Sequence, residues 1–423
     1  MKGAARAFLF RLSKRVWARA ALVTAISIVF VLAAGWVGRV LPFRVIIDLG
    51  QDSVGSILQI IASSMLAVTT FSITAMVTAY SSAATTATPR ATQLLVEDTT
   101  SQNALSTFVG GFTFSLVGII ALSTGYYGDQ GRTILFLGTL VMVAVIVVTL
   151  LRWIAHLSNF GRMGDIIDRV EAAASEALGA YATAPTLGAR TAPSGEVRGE
   201  RVPSNESGYV TFVDVEALET TAARLGRDIH ISALAGSFAD TVAPLAVVVE
   251  ASAASAGTLG SGALDDATRE AILGAFRIES HRTYEQDPRL GVIALAEIGS
   301  RALSPATNDP GTAIEIVGAL QRVLSKTLRT EPDAEVKNPH VRIRPIEWDD
   351  LVVDAFRPLA RDGAGMIEVQ IRLQKCLASL AAASPQHAAV FEGAADHALR
   401  RSVAELDDAD AAALSDVHAR FRG

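Results

Sequence analysis

The segment His281–Ile316, HRTYEQDPRLGVIALAEIGSRALSPATNDPGTAIEI, gathers the polar residues best placed for chemistry. Arg282, Glu285, Asp287, Arg301, Ser304, Asn308 and Asp309 all lie within it. In a structural reading, Asp287-Pro288 and Asp309-Pro310 each set a capping carboxylate before a proline at the first helical position. Asn308 then forms a turn, and Arg282 or Arg301 pairs with a carboxylate. In a functional reading, two helix N-termini and two arginines form a cytoplasmic site for a small anionic or regulatory ligand. A third reading makes Glu285 and Asp287 the acid and base of a membrane-bound enzyme, which requires a pocket around them.

A different chemistry is written into an apolar stretch. Ser53 to Pro89 is 37 residues without charge, bounded by Asp52 and Arg90. At 100° per residue, Ser56, Ser63, Thr70, Thr74, Thr78, Ser81 and Thr85 fall within an arc of roughly 80°. Leu58, Ile61, Met65, Val68 and Met76 lie opposite. Such a face serves as a packing seam, with each hydroxyl bonded to a carbonyl one turn back. Alternatively it lines a hydrated pathway assembled from several copies, Ser63, Thr70, Thr74, Thr78 and Ser81 being the pore-lining set.

No known catalytic spacing is present. There is no nucleophile elbow, no phosphate loop closing in Gly-Lys-Ser or Gly-Lys-Thr, and no His-Glu-x-x-His. Gly257 to Gly262 is glycine-rich but lies in a low-complexity run. None of the seven histidines falls in an expected span. His387 and His397, ten apart, would sit almost 80° apart around a helix and nearly three turns along it, so no shared metal is expected. The single Cys376 excludes an intramolecular disulfide and a Cys-based zinc site. No cofactor is expected.

The elements that must carry these residues divide the chain in two. Residues 1–154 hold 11 Lys and Arg against 5 Asp and Glu, and residues 155–423 hold 26 against 38. An acidic balance argues against nucleic acid as a partner. The N-terminal part reads as four spans that make the lipid bilayer its first partner: Ala21–Gly38, the striped stretch, an apolar centre at Ala104–Ser123, and Thr133–Leu151. The striped stretch alone would be ~55 Å of helix against a hydrocarbon core of ~30 Å. Gly111 and Gly118, seven apart, put the third span in close contact with a neighbour. Six positive residues before Ala21 hold the N-terminus in the cytoplasm, and four spans return the chain there.

After the fourth span the helical spacing of Phe160, Met163, Ile166, Ile167 and Val170 predicts a stalk helix over 155–182, continuous with that span. Residues 183–208 read as a flexible linker rich in Pro, Gly, Ser and charge. Residues 209–423 form the cytoplasmic domain. Its first part, 209–250, reads as a small strand, helix, strand module: a strand to Val213, a helix capped by Asp214 and ended at Gly226, and a strand at His230–Leu234. Residues 251–263 read as loop. The rest, 264–423, reads as mainly helical, with a helix from Asp265 or Asp266 through Ile278 and a strand at His340–Ile346.

The segment at His281, together with TTFSITAMVTAYSSAATTATPR in the second span, GYVTFVD at Gly208 and AGSFADTVAPLA, resembles the domain of unknown function 2254 family of predicted bacterial membrane proteins. In the last of these, Ser237 and Val242 stand where the family usually has an acidic residue and a glycine. The resemblance implies an integral inner-membrane protein with a cytoplasmic domain, and it implies no activity. The expected fold is membrane all-α: four transmembrane helices followed by a mixed α/β, mostly helical cytoplasmic domain. The expected role is a homo-oligomeric conduit in the bacterial inner membrane, lined by the second span and regulated by the cytoplasmic domain. The alternative is a membrane-anchored sensor or scaffold.

Overall fold

The computed structural model describes residues 16–40, 51–250, 263–333 and 335–422. Most of the basic N-terminus, the loop after Pro42 and the low-complexity run from 251 lie outside the described residues. The chain divides into two compact units, Met1–Ile166 and Ile167–Gly423.

Helices α1 (Val16–Val40), α2 (Gln51–Thr86), α4 (Thr99–Ser123) and α5 (Asp129–Leu157) form the first unit, with a short α3 (Pro89–Val96) between the second and third long ones. Each of the four contains a stretch long and apolar enough to cross a membrane. Helix α4 is the hub: 44% of its apolar stretch is buried, against 17–22% for the other three, and it packs on α1, α2 and α5. Small residues make this possible. A β-carbon on Gly111 would stand 3.0 Å from Ile146 and 3.5 Å from Met65, and one on Gly118 would stand 3.0 Å from Leu58. The expected close approach of the third span is therefore to α2 and α5. Helices α1 and α5 meet backbone to backbone, since a β-carbon on Gly38 would lie 2.7 Å from the Gly131 nitrogen. Tyr126 and Tyr127, between α4 and α5, donate their hydroxyls to the Leu32 and Val31 carbonyls of α1 at 3.0 and 2.5 Å.

One expectation about this region is corrected. The fourth long helix does run past the end of the expected span at Leu151, but only to Leu157, and carries His156 in its last turn. It does not continue as a stalk: Gly161 takes a positive φ of 78°, which a glycine adopts without a Cβ clash, and a new helix α6 begins at Met163 and ends at Thr183.

The second unit is built on two sheets. Strands β1 (Ala189–Thr191), β2 (Glu200–Pro203), β4 (Arg227–Ile231), β6 (Pro244–Glu250) and β8 (Asn338–Ile343) form a mixed sheet in the order β1-β8-β4-β6-β2. Strand β8 runs parallel to both β1 and β4, whereas β6 is antiparallel to β4 and β2. Strands β5 (Phe238–Ala239), β3 (Gly208–Val213) and β7 (Phe276–Glu279) form an antiparallel sheet in that order. Helices α7 (Val215–Leu225) and α8 (Asp266–Leu273) share a core with these strands around Val210, Leu218, Ile229, Val248, Ile272 and Val341. A layer of helices completes the unit: α9 (Leu290–Ala302), α10 (Pro310–Leu328), α11 (Trp348–Asp362), α12 (Ile367–Ala383), α13 (Ala388–Val403) and α14 (Asp408–Arg422).

Local capping signals hold. Asp214 accepts from the Ala217 amide, Gly226 takes the left-handed conformation after α7, and Asp265 accepts from the Thr268 amide to start α8. The longer-range expectations change. Residues 183–208 are not a bare linker, because they supply β1 and β2. The expected strand, helix, strand module does not close on itself, because β3 pairs with β5 and β7 while β4 pairs with β6 and β8. The helix expected through Ile278 stops at Leu273, and its last residues become β7 against β3. The parts 209–250 and 264–423 therefore share both sheets.

Candidate functional site

The hydroxyl face of α2 points away from its own bundle. Val54, Leu58, Ile61, Met65, Met76 and Ala83 are buried. Ser56, Ser63, Thr70, Thr74, Thr78, Ser81 and Thr85 are all exposed. The expected arc is thus present, and within the single chain it is no packing seam. The hydroxyl protons are spent inward: Ser63 donates to the Gln59 carbonyl at 3.0 Å, Thr70 to Leu66 at 3.0 Å, Thr74 to Thr70 at 3.0 Å and Thr78 to Thr74 at 2.9 Å. A hydroxyl has one proton and two lone pairs, so these four present acceptor oxygens to whatever lies outside. Exposed Ile60, Leu66, Phe71 and Val77 flank the face as apolar ridges.

The outer faces of the neighbouring helices differ. Helix α1 exposes Leu22, Ile26, Val29 and Leu32, and α5 exposes Leu137, Val141, Val145, Val148, Leu151 and Ile154. One bundle therefore has greasy flanks on α1 and α5 and an oxygen-bearing flank on α2.

A polar cluster at the 98–102 end of α4 was not anticipated from the sequence. Asp98 caps α4, accepting from the Ser101 amide at 2.7 Å and the Ser101 hydroxyl at 2.5 Å, and its carboxylate lies 3.0 Å from His156 Nε2. The Trp153 and Phe160 rings lie tilted against His156, and Tyr80 meets Phe160 edge to face. The sequence signal was Asp98 before a Thr-Thr-Ser start, but its partner sits 58 residues on. The cluster ties α4 to α5.

The seven residues of the 282–309 segment do not converge. Arg282 and Asp287 form a two-point ion pair at 2.6 and 3.0 Å, and Asp287, 1% exposed, also accepts from the Arg289 and Leu290 amides. Gly236 closes over that carboxylate: its φ is 95°, and a β-carbon there would stand 2.6 Å from Asp287 Oδ2. Glu285 pairs with Arg277, which also donates to the Thr211 hydroxyl at 2.9 Å. Gln286, which the sequence reading passed over, binds both backbone groups of Val213, at 2.8 and 3.2 Å.

Arg301, Ser304, Asn308 and Asp309 lie at the other end of α9, thirteen residues or ~20 Å of helix away. Asp309 caps α10, accepting from the Thr312 amide at 3.0 Å and hydroxyl at 2.6 Å. Those bonds hold its carboxyl below the usual carboxylate range, the Thr312 hydroxyl contributing most. Asn308 takes φ 48°, and the Ser304 hydroxyl donates to Thr307 at 3.2 Å. The Asp309-Pro310 cap is as expected, whereas Asp287-Pro288 is not: α9 begins two residues later, at Leu290, with Arg289 as its N-cap. Both helix N-termini nonetheless already hold a carboxylate of the chain itself. Beside Glu285 and Gln286 there is a cavity of only about 90 Å³, lined also by Tyr181 and Leu234. Among the described residues no group of three His, Cys, Asp or Glu side chains is placed to hold a metal.

Comparison with known proteins agrees with this architecture in what it leaves open. An uncharacterized protein of Mycobacterium bovis is 27% identical over 245 residues, which cover 56% of this chain and 45% of the relative. An uncharacterized protein of Mycobacterium tuberculosis matches with the same identity and coverage. The matched region thus spans less than half the length of these curated relatives. No solved structure matches the chain. The family described as predicted membrane protein, domain of unknown function 2254, matches residues 13–379, and four apolar helices followed by a sheet-and-helix unit fit that description. The chain therefore belongs to the domain of unknown function 2254 family of predicted membrane proteins.

Proposed function

We propose that this protein is an oligomeric conduit in the bacterial inner membrane, with copies assembled so that the hydroxyl face of α2 lines a shared hydrated axis. The observation that carries the reading is the orientation of α2: apolar side inward against α4, oxygen-bearing side outward, with apolar ridges beside it. The uniformly apolar outer faces of α1 and α5 suit acyl chains, and the ridges suit contacts between copies. Because the hydroxyl protons of Ser63, Thr70, Thr74 and Thr78 are engaged with carbonyls one turn back, the axis would be walled by acceptors. It would then favour water or cations over anions, as oxygens replacing a hydration shell do. The positive charge of the first twenty residues supports a cytoplasmic side for the ends of the four-span unit, with the acidic C-terminal unit as the regulator.

The same inward bonds favour a second reading, a membrane-anchored sensor or scaffold. A hydroxyl satisfied within its own helix tolerates a dry contact, so α2 could pair with one partner helix and conduct nothing. Counting copies of the full chain in lipid nanodiscs separates the two. Three or more copies support the conduit, and a monomer or two-fold dimer overturns it in favour of the anchor.

A further inference from the structure

The last helix of the second unit, α14, packs on α12 and α13 and is thinly seated there. Among its described residues Leu414 alone is buried, whereas α13 buries Phe391, Ala395, Ala398 and Ser402. One turn beyond Leu414, a single polar side chain reaches both neighbours. His418 Nδ1 lies 2.9 Å from Gln374 Oε1 of α12, and Nε2 lies 3.1 Å from Asp396 Oδ1 of α13. The His418 side chain is 12% exposed and that of Asp396 29%.

Both contacts are to acceptors. The Gln374 amide is not free to turn its nitrogen toward the ring, because Nε2 already donates to the Ala395 carbonyl at 2.9 Å and a turn would set oxygen against oxygen. A neutral imidazole carries one N–H, so it satisfies one side and sets a lone pair against the other. Only the imidazolium, with two N–H groups, satisfies both.

We propose that α14 is a proton-operated latch, docked on α12 and α13 while His418 is an imidazolium and released as pH rises and the ring gives up a proton to solvent. By linkage, a contact that requires a bound proton is present at low pH and lost as pH rises. A helix of 15 residues is marginal without packing, so release also loosens its turns. His397, beside Asp396, lines the groove toward Phe356 of α11 instead, and Lys375, Glu392, Arg400, Asp416 and Arg420 are exposed to solvent screening. The latch uses no residue of the first unit and is independent of the conduit reading.

Amide exchange of α14 in the full chain in nanodiscs, corrected for intrinsic rate and read against α13, tests this at pH 6 and pH 8.5, either side of the histidine range. The proposal predicts that protection of α14 relative to α13 falls at least tenfold between the two. Two variants make the readout specific. Asp396→Asn offers a neutral ring a donor for Nε2 while Nδ1–H stays on Gln374, so α14 should remain protected at pH 8.5. His418→Gln removes the titrating group, so the pH step should vanish at whatever level of protection remains. A ratio unchanged between the two pH values overturns the proposal, as does a step that survives in either variant.

Discussion

Met65 of α2 lies against Gly111 of α4, its Cγ 3.5 Å from the place a β-carbon on that glycine would take. That contact fixes the rotation of α2. With Met65 turned inward, Thr70, Thr74 and Thr78 can only face out of the bundle. Enlarging Gly111 to Leu would force Met65 and Ile146 to move. A side chain several atoms larger in a packed seam costs about 1–3 kcal/mol. Thermal unfolding in detergent should show Gly111→Leu destabilised by that order, and an unchanged midpoint would mean that α2 is not seated on α4 as described.

Thr70→Val, Thr74→Val and Thr78→Val keep the shape of the stripe and remove its acceptors. If the stripe is a wet wall, the triple variant should fold, insert and oligomerise as wild type while cation flux into proteoliposomes falls. Flux equal to wild type would show that these oxygens do not line a path. Flux lost together with assembly would assign them to packing between copies.

Asp287 holds Arg282, accepts from the Arg289 and Leu290 amides where α9 begins, and sits under Gly236. Asp287→Ala leaves the largely buried Arg282 without its partner, for which about 3–5 kcal/mol of destabilisation is expected. Asp309→Ala removes an exposed helix cap and should cost about 1 kcal/mol. Amide exchange of α9 and α10 in the full chain reads both. Equal effects of the two substitutions would contradict the burial difference between them.

His230 on β4 is buried, and its proton affinity is held below the ordinary value near 6.5, first by burial and then by the Arg342 guanidinium, with Asp228 opposing. The unfolded chain therefore takes up the proton before the folded one. Stability from this group is fully present above about pH 6.5 and is lost as pH falls from there through the folded-state value. Exchange of the Arg227–Ile231 amides, corrected for intrinsic rate, should show protection falling between pH 7 and pH 5, and less so in His230→Gln. Protection that rises toward pH 5 would contradict the sign.

How much of this could be read in the sequence follows from the range of each signal. Asp214, Gly226, Asp265 and Asp309 act within four residues of themselves, so capping chemistry placed those helix ends. The period of the α2 hydroxyls likewise survives from sequence to structure, because a helix preserves angular order. The exposed side of α2, by contrast, depends on Gly111 and Gly118 of another helix. Strand pairing was not legible for the same reason: β8 enters the sheet between β1 and β4 from more than a hundred residues beyond β4. The 282–309 segment looked like one constellation because its residues are close in sequence. Helix α9 then carries its two ends apart, and the partners of Asp287, Glu285 and Gln286 come partly from Gly236, Arg277 and Val213. Asp98 and His156 were missed because nothing local marks a pair separated by a whole helical hairpin.

Single cysteines on α2 put the central claim to a direct test, and the native thiol will not interfere. Cys376 is fully buried, and burial pushes its thiol up to about 12, so it stays protonated and inert. Thr70→Cys, Thr74→Cys and Thr78→Cys are compared in native membranes with Met65→Cys, which is buried, and Val141→Cys, on the apolar flank of α5. A wet axis predicts that the three stripe cysteines react with a charged, membrane-impermeant thiol reagent while Met65→Cys and Val141→Cys do not. If Thr74→Cys reacts no faster than Val141→Cys, the oxygen-bearing face of α2 meets lipid or a dry partner and the conduit is refuted.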